Sequence, residues 1–187
     1  MPLFEEGGDP KWCWCQWFRT PGMDWTNSTR DVKRERLREM AAAPEPAPGL
    51  IGYRGDSVVG WISLGPRESY ARLTNARLLA RVDDRPVWSI VCFVVSRRSR
   101  GIGIGHALLR AGIDYAREQG ATTLEAYPLA AERGRVSAAS AYQGTQAMFE
   151  RVGFEVVEVR RWNSTSPPRP IMRLELDPPR RGKRRAG

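Results

Sequence analysis

Histidine is almost missing from this sequence: His106 stands alone among 187 residues, beside only three cysteines, Cys13, Cys15 and Cys92. So small a stock of nitrogen and sulfur donors leaves no zinc site of recognised ligand spacing, and three cysteines are too few to staple a small secreted fold. Were Cys13 and Cys15 two apart on one strand, their Cα atoms would lie about 7 Å apart, at the limit of what a disulfide spans. Free thiols in a reducing compartment are expected, with no metal. No apolar run reaches the roughly 20 residues that cross a bilayer, so no membrane partner is expected. The first ten residues hold Glu5, Glu6 and Asp9 without an apolar stretch, unlike a signal or transit peptide. A cytoplasmic location is the expectation.

Acidic residues are also outnumbered, 21 against 30 lysines and arginines, for a formal charge of +9. The excess is uneven. Arg180, Arg181, Lys183, Arg184 and Arg185 carry five of these charges on a Pro/Gly background, and the preceding chain is only mildly basic. That distribution fits a solvated tail over 178–187 better than a nucleic-acid groove, which needs a basic stripe on a folded face. Nucleic acid is therefore the lesser reading.

The hydrophobic share of 41% and the length fit one domain over 1–177. Trp12, Trp14 and Phe18 alternate with Cys13, Cys15 and Trp17, which predicts a strand over 11–19 packed on both faces. Asn27, Ser28 or Thr29 can cap a helix running to Ala42, and the Pro-rich stretch 43–48 stops it. Residues 50–54 and 57–64 flank Gly55-Asp56 as a β-hairpin. A short helix is expected within 70–81, lining a cleft. Val87–Val95, rich in β-branched residues, reads as a buried strand. Ile104, Leu108, Ala111 and Tyr115 recur at helical spacing up to Gly120. A strand at 122–127, a long loop at 128–143, a short helix at 145–151 and strands at 154–162 and 171–176 complete the pattern. The seven tryptophans, Trp61 and Trp88 among them, are read as core rather than as substrate platforms, with an aromatic acceptor pocket as the alternative.

Chemistry concentrates at Val95-Ser-Arg-Arg-Ser-Arg100-Gly101-Ile102-Gly103-Ile104-Gly105-His106. Here a strand ends in a basic, glycine-rich turn that opens a helix. Glycine lets backbone approach a ligand closely, and the free N–H groups of a first helical turn face anions with the positive end of the helix dipole. A diphosphate suits such a turn. A dinucleotide fingerprint would need glycine at His106 or Leu108, and a Walker loop would need Gly-Lys-Ser/Thr; neither is present.

Arg100-x-x-Gly103-x-Gly105 after an apolar strand resembles the Arg/Gln-x-x-Gly-x-Gly/Ala signature of the GNAT superfamily of N-acetyltransferases. The order continues to Met148-Phe149-Glu150-Arg151-Val152-Gly153-Phe154, which is similar to that family's Leu-Tyr-x-Lys-x-Gly-Phe segment. The resemblance covers roughly 49–176 and is loose before Pro48. It implies an α/β fold with a mixed, mostly antiparallel sheet of about six to seven strands flanked by helices, and acetyl-CoA as cosubstrate. It also implies that N–H groups of Arg100, Gly101, Ile102, Gly103, Ile104, Gly105 and His106 hold the pyrophosphate. The strand end at Phe93, Val94 and Val95 would pair with the pantetheine arm and donate to the thioester carbonyl, stabilising the oxyanion formed when an amine attacks.

The departures are chemical. Phe149 stands where the family often has a tyrosine that protonates the leaving thiolate, and Ser89 where histone-acetylating members carry a glutamate. The family's Asn-x-x-Ala has become Tyr142-Gln-Gly-Thr145. Glu125, on the strand after the motif helix, is the candidate base, and Tyr142 the candidate acid. Cys92 as a covalent acyl carrier is the weaker alternative to direct transfer. The reading is acetyl transfer from acetyl-CoA to a primary amine by direct attack in a ternary complex. A non-catalytic acyl-CoA sensor or interaction module and a basic nucleic-acid-binding protein are the competing readings. The acceptor, whether small molecule or protein, is not specified, and a homodimer stays open.

Overall fold

The computed structural model describes residues 2–6, 9–44, 46–128, 130 and 141–177. Most of the loop expected over 128–143 and the tail 178–187 lie outside the described residues. Six strands, β1 (Gly49–Arg54), β2 (Ser57–Pro66), β3 (Trp88–Val95), β4 (Thr123–Ala126), β5 (Glu155–Arg160) and β6 (Arg169–Glu175), form one sheet in the order β1-β2-β3-β4-β6-β5. Every pairing is antiparallel except β3 with β4. The hairpin of β1 and β2 turns at Gly55-Asp56, as the composition of that turn predicts.

The helices are α1 (Pro2–Glu5), α2 (Asp9–Cys13), α3 (Gly22–Asn27), α4 (Arg30–Ala42), α5 (Ala71–Asn75), α6 (Ile104–Glu118) and α7 (Gln146–Glu150). Thr29 caps α4 by accepting the Val32 N–H at 3.3 Å, one of the three caps foreseen, and Thr145 caps α7 in the same manner at 3.3 Å. The apolar stripe of α6, with Leu108, Leu109, Ile113 and Ala116 all buried, lies on one sheet face against Ile62, Leu64 and Ile90. Helix and strand approach most closely at Gly60, where a β-carbon would sit 2.8 Å from Leu108 Cδ1 and 2.9 Å from Ile104 Cγ2. The first turn of α6 is fixed against β2 by that contact.

The opposite face is covered by the N-terminal segment and by the connection between β2 and β3. Phe4 stacks on Trp14 at 5.0 Å and meets Trp61 edge-on at 6.0 Å. The strand expected over 11–19 is not formed. The chain instead makes α2, with Trp14 N–H bonded to Pro10 O at 3.0 Å, and then turns through left-handed Trp14 (φ 45°) and Cys15 (φ 52°). Alternation misled here because Trp14 and Phe18 are also four apart, and a turning path buries both on one side while Trp12 and Trp17 stay exposed. The single helix expected within 70–81 is divided into α5 and a 3-10 turn at Arg77–Leu79, preceded by another at Arg67–Ser69. No described helix is long and apolar enough to cross a membrane.

Candidate active site

At the C-terminal end of β3 the chain leaves the sheet through a 3-10 turn at Arg97–Ser99 and enters α6 through two glycines with positive φ, Gly101 (79°) and Gly103 (89°). Gly103 is the N-cap of α6, and no side chain caps that end. The first intrahelical bond runs from Ala107 N–H to Gly103 O at 3.0 Å, so the N–H groups of Ile104, Gly105 and His106 find no carbonyl within the helix. A β-carbon on Gly101 or Gly103 would meet nothing within 4 Å. The backbone there is bare on its outer side, and left-handed φ is what demands glycine at the cap. Arg97, Arg98 and Arg100 are exposed around it, and His106 is half-buried. Such a turn fits a diphosphate: free N–H donors, a helix dipole and exposed cations lie together on one open patch.

The strand that feeds this turn is only partly paired. β3 meets β4 at Trp88, Ser89 and Ile90 alone, and from Val91 onward the two strands diverge. Ser96 N–H donates to Val59 O at 2.9 Å, on the β2 side. Alternation along an extended chain then sends the N–H and C=O of Val94 to Trp61, and those of Val95 and Phe93 away from β2 into the divergence. Arg100 Nε donates to Val95 O at 3.3 Å from that open side. An extended ligand arm can thus add to the edge of β3 as a further strand does. The turn Ala141–Gln143 packs against β3 and brings half-buried Tyr142 beside it.

The profile of the acetyltransferase (GNAT) family matches residues 11–154, more than half of the chain. The chain belongs to the GNAT family. Solved structures agree on the architecture. A ribosomal-protein-alanine N-acetyltransferase from Brucella melitensis is 23% identical over 80% of this chain and 80% of its own, with a TM-score of 0.51. An N-acetyltransferase from Staphylococcus aureus Mu50 is 17% identical, covering 82% and 81%, with a TM-score of 0.51. The NatC complex bound to Gag peptide and CoA contains a chain 17% identical, covering 80% and 81%, also at 0.51. At such identities the likeness establishes a GNAT fold, mixed α/β with a mostly antiparallel sheet. A search among curated proteins finds no match.

Phe149 and Ser89, two of the positions at which the sequence departs from the family pattern it resembles, are removed from water, whereas Tyr142 and Thr145 are half-buried. Phe149 is fully buried, in edge-on contact with Phe154 at 5.1 Å and Phe93 at 6.1 Å. Ser89 is fully buried as well, its Oγ 2.9 Å from the Tyr127 hydroxyl. Glu125 is likewise inaccessible. Its Oε1 accepts from Arg67 Nη1 at 3.0 Å and from the Tyr127 hydroxyl at 2.5 Å, and its Oε2 accepts from Arg173 Nε at 2.8 Å. A carboxylate so engaged is an ion-pair hub, and proton abstraction by it requires the network to open. Burial and the adjacent Glu125 carboxylate push the Tyr127 phenol well above its ordinary range, so Tyr127 stays a donor.

The same network reaches the surface through Asp83, whose two oxygens accept from Arg173 Nη1 at 2.7 Å and Nη2 at 3.1 Å. Arg67 also donates to Leu73 O at 2.9 Å and Leu79 O at 2.5 Å, clasping the β2–β3 connection over the sheet. Sequence reasoning missed Arg67, Tyr127, Arg173 and Asp83. Only the register, in which Arg173 faces Glu125 across β4 and β6, places them together. Cys92 lies in this covered face and Tyr142 at its margin. Among the described residues no group of three metal-ligating side chains is gathered.

Proposed function

We propose that the chain is an acetyl-CoA-dependent N-acetyltransferase that acts on a primary amine by direct attack in a ternary complex. The observation that carries this reading is the meeting of two backbone surfaces that lie outside the helix and sheet ladders. The first-turn N–H groups Ile104–His106 with their glycine cap suit a pyrophosphate, and the outward groups of Phe93 and Val95 suit the pantetheine arm. Val94 supports the strand from the β2 side. Acetyl-CoA, when bound, supplies a thioester activated toward amines. The chain's part is to hold that carbonyl beside a strand N–H, which favours the charge that develops on oxygen, and to exclude water by the apolar wall of Phe93 and Phe149. For the proton, the candidate hydroxyl is that of Tyr142, whose turn packs against β3. Glu125 acts on this reading by fixing Tyr127 and the two arginines unless acceptor binding opens the network. A cytoplasmic setting accords with three cysteines held as free thiols.

Calorimetry with acetyl-CoA, followed by thiol release with a panel of primary amines, tests the proposal. Binding that is abolished in Gly103→Val, and amine-dependent release of free thiol by the wild type, are expected. Absence of acetyl-CoA binding overturns it. The enclosed Phe149, Ser89 and Glu125 favour a second reading, an acyl-CoA sensor, and binding without thiol release across peptides, antibiotics and polyamines would select that one.

A further inference from the structure

The sulfurs of Cys15 and Cys92 lie 3.2 Å apart, both in the buried core between the N-terminal segment and the sheet, although the two residues are 77 positions apart in sequence. Neither is placed there by accident of a loose loop. Cys92 belongs to β3, paired with Ser63 of β2. Cys15 sits in the left-handed turn after α2, a conformation that few residues other than glycine adopt and that aims its side chain at the sheet. Phe4, Trp14 and Phe18 pack around that turn and hold it down. The remaining thiol, Cys13, is half-buried on α2 and makes no sulfur contact of this kind. A disulfide needs the sulfurs to close by about 1 Å more, from a contact already closer than van der Waals packing.

We infer that Cys15 and Cys92 are a redox pair that closes to an intramolecular disulfide, independently of the acetyl-transfer reading. Two S–H bonds break and one S–S bond forms. The two electrons and two protons pass to an oxidant of the peroxide class, which is reduced to water. Burial pushes the Cys15 thiol well above its ordinary range, and it pushes Cys13 up to about 12, so closure is slow at neutral pH and quickens under alkaline conditions. The product straps the N-terminal segment covalently to the strand that carries Phe93 and Val95, which ties the cover of one sheet face to the cofactor edge.

The test uses the full chain, reduced and then exposed to hydrogen peroxide at mildly alkaline pH. The expected product has lost two hydrogens by intact mass, leaves one alkylatable thiol, and yields, in an unreduced tryptic digest, peptide 12–19 joined to peptide 82–97. In Cys13→Ser the link persists, and in Cys15→Ser and Cys92→Ser it is lost. The oxidised wild type should melt about 5–10 °C higher, reverting on reduction, because the bond closes a long loop between partners already in place. Three alkylatable thiols after oxidation, a link that contains Cys13, a link between two chains, or an unchanged or lowered melting temperature in the linked form would each overturn the inference.

Discussion

Glu125 and Arg173 meet at 2.8 Å across β4 and β6, with 0% and 4% of their side chains exposed. A carboxylate withdrawn from water is tolerated only when its charge and lone pairs are met, and here two guanidinium groups and a phenol meet them. Glu125→Gln leaves Arg67 and Arg173 facing a neutral amide, so a loss of stability of about 3–5 kcal/mol is expected by urea denaturation. Turnover should fall with it. A lower kcat at unchanged stability, recovered at high pH, would instead be the mark of a general base.

The N-cap of α6 makes a second expectation. At φ 89° a valine is strained as well as obstructive, so Gly103→Val should remove measurable acetyl-CoA binding while the far-ultraviolet circular dichroism is kept. Gly105→Ala is the control. A β-carbon there lies 3.6 Å from Met148 Sδ, an ordinary contact, and the folded fraction should not change. Calorimetric affinities equal to wild type in Gly103→Val would contradict the placement of the cosubstrate.

Acid sensitivity should trace to Asp83. The hydrogen bonds from Arg173, joined by those from Arg85, hold its carboxyl well below the usual range. A depressed folded-state value means that the stabilisation is complete above the unfolded value of roughly 4 and is lost as pH falls through the folded one. Wild type should therefore lose melting temperature below about pH 4 more steeply than Asp83→Asn, and identical slopes for the two proteins would remove Asp83 from the account.

Restoring the familiar tyrosine should not restore an acid. Phe149 is enclosed by Phe93 and Phe154, and the ring carbon Cζ lies 3.4 Å from where a β-carbon on Gly144 would stand. An unpartnered hydroxyl in that position costs about 1–3 kcal/mol, so Phe149→Tyr should be less stable and no faster. A rise in kcat in this variant would show that the hydroxyl reaches the reacting thiol.

The elements that the sequence made legible are those whose signals are local. Ile104–Glu118 announces itself by spacing, the hairpin by Gly55-Asp56, and the anion turn by glycines at fixed offsets between a strand and a helix. What stayed hidden depends on partners distant along the chain. Glu125 could be placed on a strand, but nothing near it in sequence tells that Arg67, 58 positions earlier, and Arg173, 48 later, enclose it. The N-terminal segment failed for another reason, since an aromatic-rich stretch of nine residues satisfies a two-residue and a four-residue period at once, and only packing against Phe4 and Trp61 decides between them.

The partial pairing of β3 has a consequence for amide exchange. Val94 and Val95 are neighbours in one buried strand, yet the Val94 N–H is committed to β2 while the Val95 N–H faces a gap with no acceptor among the described residues. Protection should therefore alternate residue by residue along this stretch, which a uniformly closed sheet does not do. Filling the gap with a strand-like ligand turns the alternating pattern into a continuous one, so the cosubstrate edge leaves its outline on the backbone even when no side chain changes its surroundings.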